Sequence, residues 1–242
     1  MTVTDRAAAV ALASLPGMSP ARLRALRDAY GLVEAWHRVL ERRVDGHPRL
    51  ARCLGPEPEK VVASMARAAA LVDPAAVLDT HRQAQISVLL PDDPGYPEPL
   101  VADPEAPVVL FARGHLEVLD AHRVAVVGTR RCTRVGRGVA VELGEGLATA
   151  GITVVSGLAL GIDGAAHEGA LRASPSDPAP VVGVVGSGLD VVYPTRHRSL
   201  WDTVGCRGLL VSEWPLGTAS QAWRFPYSER ANHWIHYGDD HR

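Results

Sequence analysis

The stretch from Val124 to Asp163 constrains the fold of this chain more than any other. It reads V-A-V-V-G-T-R-R, then a run rich in small residues, then I-T-V-V-S-G-L-A-L-G-I-D. Four apolar residues running into Gly128 fit a strand buried on both faces. A second apolar strand, Ile152 to Val155, runs into Ser156-Gly157 and on to Gly161-Ile162-Asp163. The segment between them suits one helix, about Gly136 to Ala150. Strand, helix and strand in this order predict two parallel strands joined by a right-handed crossover. Both strands end in glycine-bearing turns followed by helix starts. In open α/β sheets, ligands bind outside the carboxyl ends of the strands. Helix N-termini point N–H groups at that edge and favour anions there, phosphate above all. Thr129, Arg130 and Arg131 lie in the first turn, and forked guanidinium donors suit phosphate.

Charge supports this reading by its distribution, not its total. The formal net charge of the 242 residues is -2, so it does not announce a nucleic-acid partner. Between Arg123 and Arg137, however, lie five arginines and no acid. A second basic cluster is Arg196-His197-Arg198. Lysine occurs only at Lys60, so a general bias toward arginine is the competing explanation. Hydrophobic residues make up 47% and aromatics 5%, so Val, Ala and Leu must fill the core. Cys53, Cys132 and Cys206 are far apart and odd in number, and indicate neither a disulfide framework nor a zinc site. No run approaches membrane-spanning length, and no signal-peptide pattern opens the chain. The expectation is a cytoplasmic protein without a cofactor.

Helices are expected from about Asp5 to Ala70. Ala8 to Leu15 leads into L-P-G-M-S-P, with Ser19 as N-cap and Pro20 at the first helical position of a helix ending near Gly31. Helix, P-G turn and helix outline a helix-hairpin-helix unit, although an ordinary turn between packed helices has the same outline. Further helices are expected at Val33 to Arg43 and Glu59 to Leu71. Strands follow at Ile86 to Leu90 and Val108 to Ala112, around the turn-rich segment Pro91 to Pro99. Beyond Arg123 to Val127 and Ile152 to Val155, strands are expected at Val181 to Val185 and Gly208 to Val211. Helices fall between them, at Gly164 to Arg172 and Ser199 to Val204. This alternation predicts a mainly parallel sheet.

Several chemistries fail on the residues. A dinucleotide fingerprint needs G-x-G-x-x-G after the first strand and an acid ending the second; this chain has G-T-R-R-C-T-R-V-G and Ser156-Gly157. No G-x-x-x-x-G-K-[ST] is present either. Asp163 and His167, four apart, could pair as a general base, but an N-cap aspartate beside a packed or surface histidine explains them more simply. Glu213 reaches the same sheet edge, where it either bonds turn amides or faces a ligand. Gly186 and Gly188 permit a tight turn. Tyr193 has two open readings, stacking on a base or covering the core.

The motifs in order resemble the DNA-processing protein A family, also called Smf. They are G-T-R-R at Gly128, S-G-L-A-L-G-I-D at Ser156, A-A-H-E-G-A-L at Ala165, G-S-G-L-D at Gly186, Y-P at Tyr193, S-E-W-P-L-G at Ser212 and F-P at Phe225. The resemblance covers roughly Ala9 to Pro226. It implies an α/β, Rossmann-like domain with a mainly parallel sheet, preceded by a helical domain of SAM or helix-hairpin-helix type. The expected boundaries are 1–75 for the helical domain and 76–120 for a connector with lead-in strands. The Rossmann-like domain spans 121–226, and 227–242 form an atypical tail. The resemblance also implies non-catalytic binding of single-stranded DNA, hand-over to the RecA recombinase in natural transformation, and a homodimer. Carried onto this chain, the phosphate- and DNA-binding residues are Gly128, Thr129, Arg130 and Arg131 in the first turn. Ser156, Gly157, Gly161 and Asp163 form the second set. Gly186 and Ser187 come from the third turn, and Arg196 and His197 from the stretch after Y-P.

Two other classes stay open. One is the lysine-decarboxylase-like nucleotide hydrolases, whose P-G-G-x-G-T-x-x-E is absent. The other is an interaction-only remnant. After Phe225-Pro226 the family reads x-R-N-R-I-I-A-G-L, whereas this chain has Y-S-E-R-A-N-H-W-I and stops soon after. Only Arg230 matches that motif's second arginine. The expectation is a truncated Rossmann-like domain with uncovered apolar surface near Val181 to Val185 or Leu209 to Val211.

Overall fold

The computed structural model describes residues 3–44, 48–175 and 177–221. The F-P motif, Arg230 and the tail 227–242 lie outside them. The chain divides into two compact units, one of 1–92 with 105–110 and the other of 93–104 with 111–242. The segment 76–120 is shared between them.

The first unit holds helices α1 (Asp5–Ala13), α2 (Pro20–Tyr30), α3 (Leu32–Leu40), α4 (Pro48–Leu54), α5 (Pro58–Ala69) and α6 (Pro74–Gln83), then strand β1 (Ser87–Leu89). α1 buries Ala7 through Leu12 on nearly all sides, as the central helix of a bundle must. Ser19 caps α2 by accepting from the Arg22 N–H, and Pro20 sits at the helix start. Arg22 donates from Nε to the Cys53 carbonyl at 2.8 Å, and its Nη1 donates to the Gly17 carbonyl. That guanidinium ties the P-G turn to α4.

The second unit begins with the short helix α7 (Glu98–Val101). Then follow β2 (Leu110–Gly114), β3 (Arg123–Ala125), α8 (Arg134–Thr149), β4 (Thr153–Ser156), α9 (Ile162–Ala173), β5 (Val181–Val185), α10 (Arg198–Arg207) and β6 (Leu209–Ser212). Its strands are ordered β2-β6-β5-β4-β3. β3 to β6 run parallel, and β2 pairs antiparallel with β6, setting Phe111 opposite Ser212. The sheet is α/β and mainly parallel, as expected. β4, β5 and β6 are buried at every residue, which is why they read as unbroken apolar runs. Consecutive parallel strands lie side by side, so the carboxyl ends of β3, β4 and β5 meet at one edge.

α8 and α9 pack almost backbone to backbone. A Cβ at Gly144 would strike the Ala166 carbonyl, and one at Gly169 the Val141 carbonyl. The rest of α8 is open. Val135, Val139 and Leu143, four residues apart, are 76%, 57% and 47% exposed, and Val127 just beyond β3 is 59% exposed. Among the described residues of the second unit, a continuous stretch of uncovered apolar surface lies at β3 and α8. The expected sites, Val181 to Val185 and Leu209 to Val211, are interior.

Candidate functional site

The first turn, after β3, is held by its own backbone. Thr129 Oγ1 accepts from the Arg131 N–H at 3.2 Å, and the Thr129 carbonyl accepts from the Ile162 N–H at 3.3 Å. This second bond joins the first turn to the start of α9. Gly161, at φ +91°, makes the junction possible: a Cβ there would strike the Thr129 carbonyl. The two glycine turns predicted from the sequence are thus in contact.

Asp163 locks them together. Its Oδ1 accepts from the Gly128 N–H at 3.1 Å and its Oδ2 from the Gly157 N–H at 3.2 Å. One carboxylate spans both strand ends. α9 starts at Ile162 with Gly161 as N-cap, so Asp163 is a first-turn residue and not the cap. It is 7% exposed. Burial pushes its pKa up, while the Gly128 and Gly157 N–H groups pull it down less strongly.

His167 does not face Asp163. Its Nε2 lies 3.1 Å from the Val182 carbonyl, which can only accept, so Nε2 carries the proton. The ring is fully buried, and burial lowers its pKa to about 4. A general-base pair does not form. Glu213 is also buried, at 8% exposure. Among the described residues no three His, Cys, Asp or Glu side chains cluster as a metal site would require.

The other expected residues sort by exposure. Gly128, Thr129, Arg130, Arg131 and Arg196 are exposed at the edge, while Gly157, Gly161 and His197 are half-buried. Ser156 is fully buried, and its hydroxyl donates to the Val126 carbonyl at 2.5 Å. Gly186 is buried. Ser187 is buried too; its hydroxyl donates to the Val191 carbonyl at 2.8 Å, and its carbonyl accepts from Ser212 Oγ at 2.8 Å. These buried residues shape the turns from behind. The second basic stretch reaches the same edge through His197, whose Nδ1 lies 2.9 Å from the Leu158 carbonyl. Its ring packs on Gly164, where a Cβ would strike it.

The five clustered arginines separate. Arg123 begins β3 and donates to the Leu119 and Ala121 carbonyls, at the opposite end of the strand from the turn. Arg137 pairs with Glu168 of α9. Arg130 and Arg131 remain in the turn, and Arg134 is the exposed first residue of α8. Thr133 caps α8 by accepting from the Gly136 N–H at 3.0 Å, and the first turn of α8 holds no acid. Arg134 was absent from the sequence-derived set. The signal for it was present: an arginine directly after a threonine N-cap stands at a helix N-terminus.

Comparison with known proteins agrees with this architecture. The family model described as DNA recombination-mediator protein A matches residues 87–233. The chain is 30% identical over 239 residues to Protein Smf of Synechocystis, covering 95% of this chain and 56% of that protein. It is 38% identical over 138 residues to DNA processing protein DprA of Streptococcus pneumoniae, covering 57% of this chain and 47% of that protein. The X-ray structure of the S. pneumoniae protein superposes with a TM-score of 0.71 at 27% identity, over 97% of this chain and 76% of that one. DNA processing protein A of Helicobacter pylori, a protein with a described single-stranded DNA binding mode, superposes with a TM-score of 0.52 at 28% identity, over 62% of this chain and 66% of that one. The chain belongs to the DNA recombination-mediator protein A family. It spans about half the length of these curated relatives.

Proposed function

We propose that this chain binds single-stranded DNA along the edge formed by the Gly128–Arg131 turn, the Ser156–Gly161 turn and the Arg196–His197 stretch. The observation that carries the reading is the start of α8. A helix N-terminus already carries partial positive charge and favours acids. Here it holds Arg134, with Arg130 and Arg131 just before it and no acid in its first turn. Stacking cations on a positive helix end costs stability unless an anion is to be held there. Local rules are broken in this way at functional sites. A phosphate chain is the anion that suits forked donors spread over several turns. Its binding is electrostatic, with little base readout from these arginines.

The reading is binding without turnover. Both Asp163 oxygens are taken by turn amides, which fits a scaffold role. Family membership supports extending the role to protecting incoming strands, acting as a dimer and handing DNA to RecA during natural transformation.

The test is fluorescence polarisation with oligo-dT across a salt series. Arg130→Ala and Arg134→Ala each weaken binding to all sequences alike and reduce the salt slope by about one. Unchanged affinity and slope in both variants refutes the site. RecA hand-over is checked by filament nucleation on the same oligonucleotide with and without this protein; no acceleration refutes that extension alone.

A further inference from the structure

Three residues other than glycine adopt positive φ among the described residues: Arg42, Gln85 and Leu158. Arg42 and Gln85 are exposed and stand just past the C-caps of α3 and α6, where left-handed backbone is an ordinary helix ending. Leu158, at φ +55°, ends no helix. It follows β4 inside the second glycine turn and is fully buried. A bulky side chain in this conformation is an outlier, because its Cβ crowds the backbone. Such strain persists only where the surroundings over-determine it.

The surroundings of Leu158 do so from three sides. The Gly157 N–H before it donates to Asp163 Oδ2 at 3.2 Å. The Leu158 side chain lies on Gly183 of β5, where a Cβ would strike its Cδ1. The Leu158 carbonyl meets His197 Nδ1 at 2.9 Å. A carbonyl only accepts, so Nδ1 carries the proton, and Nε2 of the neutral ring offers a phosphate only a lone pair. His197 also departs from the usual use of its own position. It is the N-cap of α10, but its side chain makes no cap bond there. Its donor goes to the neighbouring turn instead, and Gly164 leaves room for the ring.

The same bond sets the peptide unit that follows. In a planar trans peptide, C=O and N–H point opposite ways. Fixing the Leu158 carbonyl on His197 therefore fixes the Ala159 N–H, facing away from His197. The N–H groups of Leu158, Ala159, Leu160 and Gly161 have no acceptor among the described residues. Successive N–H groups around a left-handed residue form a concavity that suits an anion.

We infer that His197 is a positioning residue of this edge: it holds the strained Leu158 turn so that the turn's N–H groups receive a DNA phosphate. The inference rests on the single-stranded DNA reading above. Arg196 beside it is exposed and supplies charge, whereas His197 supplies geometry.

The experiment is polarisation with oligo-dT across a salt series, in buffer above the usual histidine range. His197→Ala and His197→Phe both remove the donor, and Phe keeps a ring against Gly164. Each weakens binding roughly tenfold, about 1.4 kcal/mol, while the salt slope stays native because no charge is lost. His197→Asn, whose amide N–H stands where Nδ1 does, restores the affinity. In NMR spectra of the free protein, the Ala159 amide resonance moves in the Ala and Phe variants and returns in Asn. Native affinity in His197→Phe overturns the inference and leaves the arginine site standing. A salt slope reduced by about one makes His197 a charged phosphate contact and overturns it too. Absence of native binding to oligo-dT overturns the DNA reading and this inference with it.

Discussion

Replacing Asp163 by Ala tests whether one carboxylate holds the two turns together. The change removes the acceptor for both the Gly128 and the Gly157 N–H. Hydrogen bonds to a charged partner contribute roughly 1.5–3 kcal/mol each. Two effects reduce the sum. Gly128 lies at an exposed turn, where water replaces the lost acceptor, and the burial that raises the Asp163 pKa is relieved. The net cost is about 2–3 kcal/mol, or about 4–12 °C in Tm for a chain of this size. Asp163→Asn keeps one acceptor but turns an NH2 toward the other amide, and falls between native and Ala. A raised folded-state pKa also gives a sign. The native stability is greatest, as far as Asp163 is concerned, below the ordinary carboxylate range, and declines as pH rises through the raised value. Asn abolishes that component. The assay is thermal melting followed by tryptophan fluorescence, since Trp201 and Trp214 report on the second unit, together with polarisation on oligo-dT. An Ala variant that melts within about 1 °C of native and binds DNA unchanged refutes the clamp.

Other perturbations separate packing from surface. His167, with its pKa lowered to about 4, stabilises the fold fully above about pH 6.5; that contribution, roughly 3 kcal/mol, is lost as pH falls toward 4. His167→Gln flattens this acid limb in denaturant titrations at stepped pH, and an unchanged limb contradicts the assignment. Gly169→Ala drives a methyl into the Val141 carbonyl and costs about 1–3 kcal/mol, whereas Gly146→Ala, with open space around it, is neutral or stabilising by up to about 1 kcal/mol. Equal effects in chemical denaturation exclude backbone contact between α8 and α9 as the cause. Val139→Glu changes stability by less than about 0.5 kcal/mol but reduces self-association in light scattering; unchanged association means the α8 stripe is not the sticky surface.

The sheet strands were legible because burial on two faces writes itself as apolar runs, and Val181 to Val185 matched residue for residue. Two helices of the first unit were not. α6 carries proper start signals, Asp73 as N-cap and Pro74 after it, and its buried residues Pro74, Leu78 and His81 keep helical spacing, but only Leu78 is a large apolar residue, so no apolar period shows in the sequence. α4 is one short amphipathic piece with two arginines and a cysteine, and little else distinguishes it from a loop. At the candidate site, the turns were legible and the division of labour within them was not. Ser156 looked like a turn residue because hydroxyls usually mark strand ends. It is the last residue of β4, and its burial is tolerated because Val126, the residue just after β3, offers its carbonyl. No single-chain pattern encodes that partner, which lies thirty positions away.

The placement of uncovered surface follows from the same topology. Apolar runs such as Val181 to Val185 invite the thought that they are the first to be exposed when a sheet lacks neighbours. Strand order decides otherwise. The chain lays down β3, then β4, β5 and β6 in one direction, and β2 closes the far side of β6. The most apolar strands are then interior by construction, and β3, the first of the parallel series, is left at the boundary. Its sequence shows this in retrospect. It keeps only three strand residues, each half-buried, and Val127 beyond it points into the open. The helix that follows β3 inherits the same exposure, which is why α8 buries only Ala140 and Gly144 of its sixteen residues while showing valines at four-residue spacing. An edge of this kind is a liability that proteins ordinarily cover or charge. Here the charge is concentrated at one end, in Arg130, Arg131 and Arg134. The arginine edge and the apolar face thus meet at the start of α8, so cover placed on Val135 and Val139 would sit beside Arg134.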